Sequence, residues 1–359
     1  MTATMRAAVW RGPDVITVQE VPFPEVPEGW ALVEVEYTGI CGTDLSILHG
    51  THPRARPGLV PGHEIVGVIA DAGTTGLTPG VRVVAEPLVS CGDCLACRSG
   101  STHVCRDLRL FGIDAPGSLA RYVALPAAAL HVVPAGVPAR QAALVEPLAV
   151  AVHAVALSGL KEGDTVAVLG GGPVGVLTAL VAGHAGAGRV VVGEPRAWRR
   201  DVVAGLGADV VPDGVDPAAH LAALTAGEGA DVTFDAAGHP AVAAALPAVT
   251  RVLGRIVVVG VHKQPVPVDL QAVCFKEQTL VGVRVYTRDD VAEAVRLVAS
   301  GELGLERLPV VEFGLDDVAA AFDAAAAGLD NLKVLVRPDG RGERRVLARG
   351  RRPAAVRLP

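Results

Sequence analysis

Residues 165–175 read TVAVLGGGPVG: a strand over Thr165–Leu169 runs straight into a glycine loop, and a helical segment begins near Pro173. The loop fits G-x-G-x-x-G at Gly170, Gly172 and Gly175, and Glu194 stands at the end of the next strand, 19 residues past Gly175. The glycine pattern alone is weak. A strand before it, a helix after it and an acid at that distance are the context a dinucleotide-binding turn requires. Gly170 permits the tight turn, Gly172 lets the backbone approach a pyrophosphate, and Gly175 lets helix pack on strand. Pro173 and Val174 begin the helix, whose unpaired N–H groups and dipole favour an anion. Glu194 suits the adenosine ribose hydroxyls and repels a 2′-phosphate, so NAD is expected over NADP. Arg196, Arg199 and Arg200 follow at once, and such arginines either accommodate NADP or form a solvated helix face.

Outward from this turn the chain changes character on its two sides. Downstream, strands are expected at Arg189–Gly193, Asp209–Val211, Asp231–Asp235 and Gly254–Val259, with helices beginning near Arg196, Pro217 and Pro240. Apolar strands alternating with helices indicate an α/β, doubly wound parallel sheet. Upstream, short strands at Met5–Trp10, Trp30–Thr38, Ile65–Ala70 and Val81–Glu86 are separated by Gly and Pro turns, which suggests a partly open β-barrel. An apolar helix over Leu148–Leu157 joins the two. After Tyr286 an amphipathic helix (Asp289–Ser300) and the segment Leu315–Ala326 are expected to return to the first domain. The resulting division is 1–153 for the barrel domain with a cysteine lobe at about 90–106, 154–287 for the dinucleotide domain, 288–338 for the return, and 339–359 for a basic, disordered tail.

Composition narrows the function class. The chain has 359 residues, half of them apolar, and a net charge of −6. The last twenty residues carry seven arginines and one glutamate, a net +6, so the remaining 339 sum to −12. An acidic body with 3% aromatics gives no reason to expect nucleic acid or a membrane surface as a partner. No export signal is read at the N-terminus, so a cytoplasmic location is expected, where thiols stay reduced and clustered cysteines serve metal rather than disulfides.

Four of the six cysteines, Cys91, Cys94, Cys97 and Cys105, fall within fifteen positions. Their C-x2-C-x2-C-x7-C spacing suits a closed tetrahedral thiolate site for a structural zinc. A disulfide pair or a nucleic-acid-binding zinc ribbon are the alternatives, but a ribbon needs two C-x2-C pairs farther apart. Cys41 stands alone, followed at a distance by Gly62-His63-Glu64. A Cys/His/Glu set is what a zinc centre uses when it keeps a position open for chemistry. Glu146, in Glu146-Pro147, would join it only if the fold brings it in. Cys274 reads as an ordinary thiol.

Residues 39–44 (GICGTD), 62–64 (GHE), the four-cysteine lobe, residues 146–150 (EPLAV) and the glycine loop occur in this order. Together they resemble the zinc-dependent medium-chain dehydrogenases, which pair a GroES-like catalytic domain with a Rossmann domain, and within them the polyol branch of sorbitol, butanediol and threonine dehydrogenases. The resemblance spans residues 5 to about 337. It implies two zinc ions per chain, with Cys41, His63 and Glu64 around the catalytic one and Glu146 on the metal or its water. It further implies Thr43 as proton acceptor, Arg199 near adenosine, Ala237, Val259 and Gly260 along the cofactor, and Arg284 at substrate and cofactor. The implied activity is reversible oxidation of a secondary alcohol in a polyol, cyclitol or vicinal diol, in a homo-oligomer, dimer or tetramer. An L-threonine 3-dehydrogenase-like activity and a catalytically idle NAD-binding zinc protein are the alternatives. One departure stands out: many relatives carry histidine five residues after the zinc cysteine, and this chain has Ser46. His49 and His52 are the nearby substitutes, and Arg54 and Arg56 are candidates to meet an acidic substrate.

Overall fold

The computed structural model describes residues 3–338; the arginine-rich tail from residue 339 lies outside the described residues. The chain opens with an antiparallel hairpin, β1 (Thr4–Gly12) and β2 (Val15–Pro22). The barrel follows with β3 (Trp30–Ile40), α1 (Gly42–Leu48), β4 (Glu64–Asp71) and β5 (Arg82–Ala85). A small lobe then interrupts it, with β6 (Leu88–Val89), α2 (Leu95–Arg98) and β7 (Arg109–Leu110). The chain returns through β8 (Tyr122–Pro126), β9 (Leu130–Val132), α3 (Ala139–Ala142) and α4 (Val145–Ser158). The helix expected from Leu148 starts at Val145, so Glu146 and Pro147 fall in its first turn. A proline ring is tolerated there because the first N–H groups have no partner inside the helix.

The second half alternates: β10 (Thr165–Leu169), α5 (Pro173–His184), β11 (Arg189–Gly193), α6 (Ala197–Gly205), β12 (Asp209–Val210), α7 (Pro217–Leu224), β13 (Ala230–Asp235), α8 (Pro240–Val249), β14 (Thr250–Val258), α9 (Leu270–Phe275) and β15 (Thr279–Gly282). The six strands form one parallel sheet in the order β12-β11-β10-β13-β14-β15. The order reverses between β10 and β13, and ligands of such sheets bind at the carboxyl ends beside that reversal, where the glycine loop sits. Strand β15 is absent from the expected set. It is short and lies at the sheet edge with Thr279 and Leu280 exposed, so its sequence lacks the unbroken apolar run of a central strand.

Helix α10 (Arg288–Ser300), β16 (Val310–Gly314), α11 (Val318–Ala327) and β17 (Lys333–Arg337) complete the described chain. Strand β17 pairs antiparallel with β3, so the C-terminal segment joins the barrel sheet, β16-β17-β3-β4-β5-β9. One apolar core runs from Val66 and Val84 of the barrel, through Leu148 of α4, to Val168 and Leu177 of the second domain. With so few aromatics it is filled by branched aliphatics, and α4 is buried on most of its surface between the two halves.

Register places the site. Gly39 of β3 pairs with Glu64 of β4, and Ile40 pairs with Val334 of β17. The end of one strand and the starts of two others therefore converge, bringing Cys41, His63, Glu64 and Lys333 to one corner of the barrel.

Candidate metal centres and cofactor cleft

Cys41 ends β3 and caps α1; its amide N–H donates to Asp44 Oδ2 at 2.9 Å. Asp44 is buried, its Oδ1 accepts from the Gly62 amide at 3.3 Å and lies 3.4 Å from His63 Nδ1. One buried carboxylate thus fixes the loops that carry both Cys41 and His63. The ligand atoms of Cys41, His63 and Glu64 all lie within 4.8 Å of one another. Glu64 is 1% exposed and paired with the buried ammonium of Lys333. Gly39 makes room for it: a Cβ there would stand 1.8 Å from Glu64 Oε2.

Glu146 lies half-buried beside this group without belonging to it, and the buried Tyr286 donates its hydroxyl to Glu146 Oε1 at 2.8 Å. Burial first, then repulsion from Glu64, pushes the Glu146 carboxyl up to about 7. Burial and the Glu146 charge hold the Tyr286 phenol well above its ordinary value. Burial pushes Asp44 up, but the His63 charge and hydrogen bonds outweigh it and hold Asp44 low. Burial likewise works against a charged His63, yet Asp44 and Cys41 raise it well above the usual imidazole range. Lys333 lies among Asp44, Glu64, Glu146 and the Cys41 thiol, paired with Glu64. This donor set fits a divalent zinc, whose binding would displace the proton held on His63.

The lobe fits a second ion. Cys91, Cys94, Cys97 and Cys105 form a four-thiol group, and all six cysteines are free of disulfides. Their Sγ separations are 3.4 Å (Cys91–Cys105), 3.5 Å (Cys94–Cys97), 3.9 Å (Cys91–Cys97) and 3.9 Å (Cys94–Cys105). A tetrahedral shell with Zn–S near 2.3 Å requires S···S of about 3.8 Å.

At the cofactor cleft, the first turn of α5 has no side-chain cap, and Gly172 is its N-cap with Pro173 following. A Cβ at Gly175 would lie 1.8 Å from the Gly170 carbonyl, so helix and loop touch as the sequence expects. Glu194 is buried; Oε2 accepts from the Gly171 amide at 2.8 Å and Oε1 from the Arg196 amide at 2.9 Å. Arg196 reaches across to the carbonyls of Ala327 and Gly328, Arg200 pairs with Asp213, and Arg199 Nη1 lies 3.7 Å from Glu194 Oε2. Ala237 caps onto Asp235, while the amides of Val259 and Gly260 donate to the Asp235 carbonyl. Arg284 is exposed past β15, and its charge acts on His103 of the cysteine lobe.

Thr43 Oγ1 lies 4.0 Å from Cys41 Sγ. Ser46 donates back to the Gly42 carbonyl, His49 pairs with the exposed Asp14, and His52 Nδ1 accepts from the Arg54 and Ala55 amides. Arg54 is held by the Leu108 carbonyl and Asp114, and Arg56 by the carbonyls of Pro53 and Ala55. Lys333 and Tyr286 went unread in the sequence. A lysine opening an apolar strand looks like a solvated edge, and neither residue has a local signal; only the β17–β3 pairing and the α4–α10 packing bring them in.

Residues 27–135 match the family described as alcohol dehydrogenase GroES-like domain, and residues 173–300 match zinc-binding dehydrogenase. The chain belongs to the zinc-type medium-chain alcohol dehydrogenases. It is 41% identical over 315 residues to a 2-dehydro-3-deoxy-L-galactonate 5-dehydrogenase of Pseudoalteromonas atlantica, covering 86% of this chain and 91% of the relative. An L-threonine 3-dehydrogenase of Pyrococcus horikoshii is 34% identical over 339 residues, 91% of this chain and 96% of the relative. Among solved structures, a zinc-binding dehydrogenase of Sinorhizobium meliloti bound to NADP superposes with a TM-score of 0.88 at 33% identity, covering 94% of this chain and all of the other. The zinc-type dehydrogenase is therefore an oxidoreductase using a nicotinamide cofactor, and among the described residues no helix is long and apolar enough to cross a membrane.

Proposed function

We propose that this dehydrogenase reversibly oxidises a secondary alcohol of a polyhydroxylated small molecule (a polyol, cyclitol, sugar acid or other vicinal diol) to the ketone, with NAD preferred over NADP. The observation that carries the reading is the convergence of Cys41, His63 and Glu64 on one point, with the hydrogen-bonded Glu146–Tyr286 pair beside them. Cys41, His63 and Glu64 would hold a catalytic zinc, with Glu146 on the metal or its water, and the four lobe cysteines a structural one. When bound, zinc makes the substrate hydroxyl more acidic and the nicotinamide accepts the hydride. Thr43 Oγ1 accepts a hydrogen bond from the substrate hydroxyl and relays its proton toward solvent by giving up its own hydrogen. Asp44 keeps His63 in place through Nδ1. Glu146, titrating at about 7, accepts a hydrogen bond when ionised and donates one when protonated, so it suits a hydroxyl next to the reacting carbon. That favours diols over simple alcohols. Glu194 accepts from the adenosine ribose and disfavours a 2′-phosphate.

A sugar acid is the first substrate class to try, because the 41% identical relative is named for one. The second reading, an amino alcohol such as threonine, rests on the 34% identical relative. The test is cofactor reduction across sugar acids, polyols, inositols, aminocyclitols, butanediol and threonine, run with NAD and with NADP. Turnover of 2-propanol as fast as that of a vicinal diol would remove the role given to Glu146. Turnover of threonine alone would select the second reading.

A further inference from the structure

Asp235 ends β13 with its side chain fully buried, yet neither zinc chemistry nor the glycine loop uses it. Its Oδ1 accepts from the amides of Ala237 and Gly238 at 3.0 and 2.9 Å. Its carbonyl accepts from Val259 and Gly260 at 3.0 and 2.8 Å, which ties the crest of β14 to that of β13. Its remaining oxygen, Oδ2, meets His262 Nε2 at 2.7 Å. The His262 side chain is 16% exposed, and its other nitrogen, Nδ1, is buried without a hydrogen-bond partner.

The proton positions follow from the partners. Asp235 Oδ1 already accepts two amides, and an ionised carboxylate has only acceptors, so His262 Nε2 carries the hydrogen. In the neutral ring Nδ1 is then an acceptor aimed at a donor that the chain does not supply. Burying such an atom unpaired is unfavourable, and a ligand that pairs it gains accordingly.

The place of this acceptor is defined by the loops around it. A Cβ at Gly260 would stand 2.3 Å from the Gly238 amide, and one at Gly170 would stand 3.0 Å from the Ala237 amide. The glycine loop and the crests of β13 and β14 are therefore in contact at the carboxyl edge of the sheet. A dinucleotide that sets its adenosine by Glu194 at β11 and its pyrophosphate on the β10 loop must lay its other half over β13 and β14. His262 stands there.

We propose that His262, oriented by Asp235, is a positioning residue for the nicotinamide half of the cofactor: Nδ1 accepts a hydrogen bond from a ribose hydroxyl or the carboxamide N–H₂ of that half. The inference rests on the cofactor reading above. It adds a recognition point on the side of the cleft opposite Glu194, at a residue outside the glycine fingerprint.

Two variants separate recognition from folding. His262→Gln keeps an N–H near Nε2 for Asp235 but has no acceptor at the Nδ1 position; His262→Asn keeps an oxygen near Nδ1 and loses the Asp235 bond. Binding of NADH and of ADP, which lacks both the second ribose and the nicotinamide, is measured by fluorescence titration and calorimetry on the full zinc-loaded chain. For His262→Gln the expected result is a melting temperature close to the parent, NADH affinity reduced about tenfold, the size of one lost hydrogen bond, and ADP affinity unchanged. His262→Asn recovers part of the NADH affinity. Repeating the titration with the 3-acetylpyridine analogue, which has no carboxamide N–H₂, assigns the donor. If the penalty for His262→Gln persists the donor is the ribose, and if it vanishes the donor is the carboxamide. NADH affinity unchanged in His262→Gln, or lost equally for NADH and ADP, overturns the proposal. A parent chain that binds neither NADH nor NADPH would instead remove the cofactor reading itself, before His262 enters.

Discussion

Gly39 shows how much of a metal centre is decided by one missing carbon. Its backbone is ordinary, so an alanine would be comfortable there in isolation, but the added Cβ would fall on Glu64 Oε2. Glu64 has nowhere to retreat, because Lys333 grips it and the pair is buried. Overpacking of this kind costs about 1–3 kcal/mol. Gly39→Ala is therefore expected to lower the melting temperature modestly while moving one of the three converging ligands. Zinc content measured on the purified chain should fall from two to one, with the lobe still loaded, and activity should drop by more than about a hundredfold. Two zinc ions retained with full activity would show that Glu64 is not needed at the ion. At this scale the sequence was informative about types and spacing. The thiol, imidazole and acid were readable as a set because zinc chemistry restricts which side chains appear together. Gly39, Asp44, Lys333 and Tyr286 were not assigned roles, because each acts through a neighbour supplied by folding rather than through a spacing of its own.

Helix α10 carries the same lesson one level up. The sequence placed its start at Asp289, and the helix begins at Arg288, where Thr287 and Asp290 form a capping box, the pattern that satisfies the first free amides of a helix. What the sequence did not show is that Asp290 also receives His153 Nδ1 from α4 at 2.8 Å, so the cap doubles as the joint between the two helices. The joint matters to the site because Tyr286, one residue before the cap, reaches Glu146 on the same α4. Burial alone would raise the Asp290 pKa, but the bonds from His153 and Thr287 overcome it and hold it below the ordinary value. A depressed carboxyl contributes stability that is complete above its unfolded value, about 3.9, and is lost as pH falls through the lower folded value. Asp290→Asn should thus melt below the parent at neutral pH, by about 1 kcal/mol. The gap should close as both are acidified below pH 4, as followed by thermal melts in a buffer series. A gap that is constant with pH would mean that only packing was lost. Strands in the parallel sheet were read well because burial on both faces leaves an unbroken apolar run. Of the two edge strands, β12 was read and β15 was not, since its pairing on one side only leaves mixed sequence.

For the molecule as a whole, the cofactor cleft is bounded by both halves of the chain, and a few contacts cross between them. Arg196 spans from α6 to the carbonyls at the end of α11, and Arg288 at the start of α10 pairs with Glu86 beyond β5. Arg196 and Arg200 are already engaged, which leaves Arg199, 3.7 Å from Glu194 Oε2, as the guanidinium beside the place of a 2′-phosphate. The Sinorhizobium meliloti relative was nevertheless solved with NADP, so the preference has to be read on this chain. A ligand that binds only the folded state adds about 2.7 kcal/mol at a hundred times its Kd. At equal concentration NAD should therefore raise the melting temperature more than NADP. Glu194→Gln, which removes the charge but keeps an acceptor, should narrow the difference by strengthening NADP. If NADP gives the larger shift in the parent, Glu194 does not set the choice. Arg199 would then meet the phosphate, being bound to none of the partners that hold Arg196 and Arg200, and Arg199→Ala would abolish that larger shift.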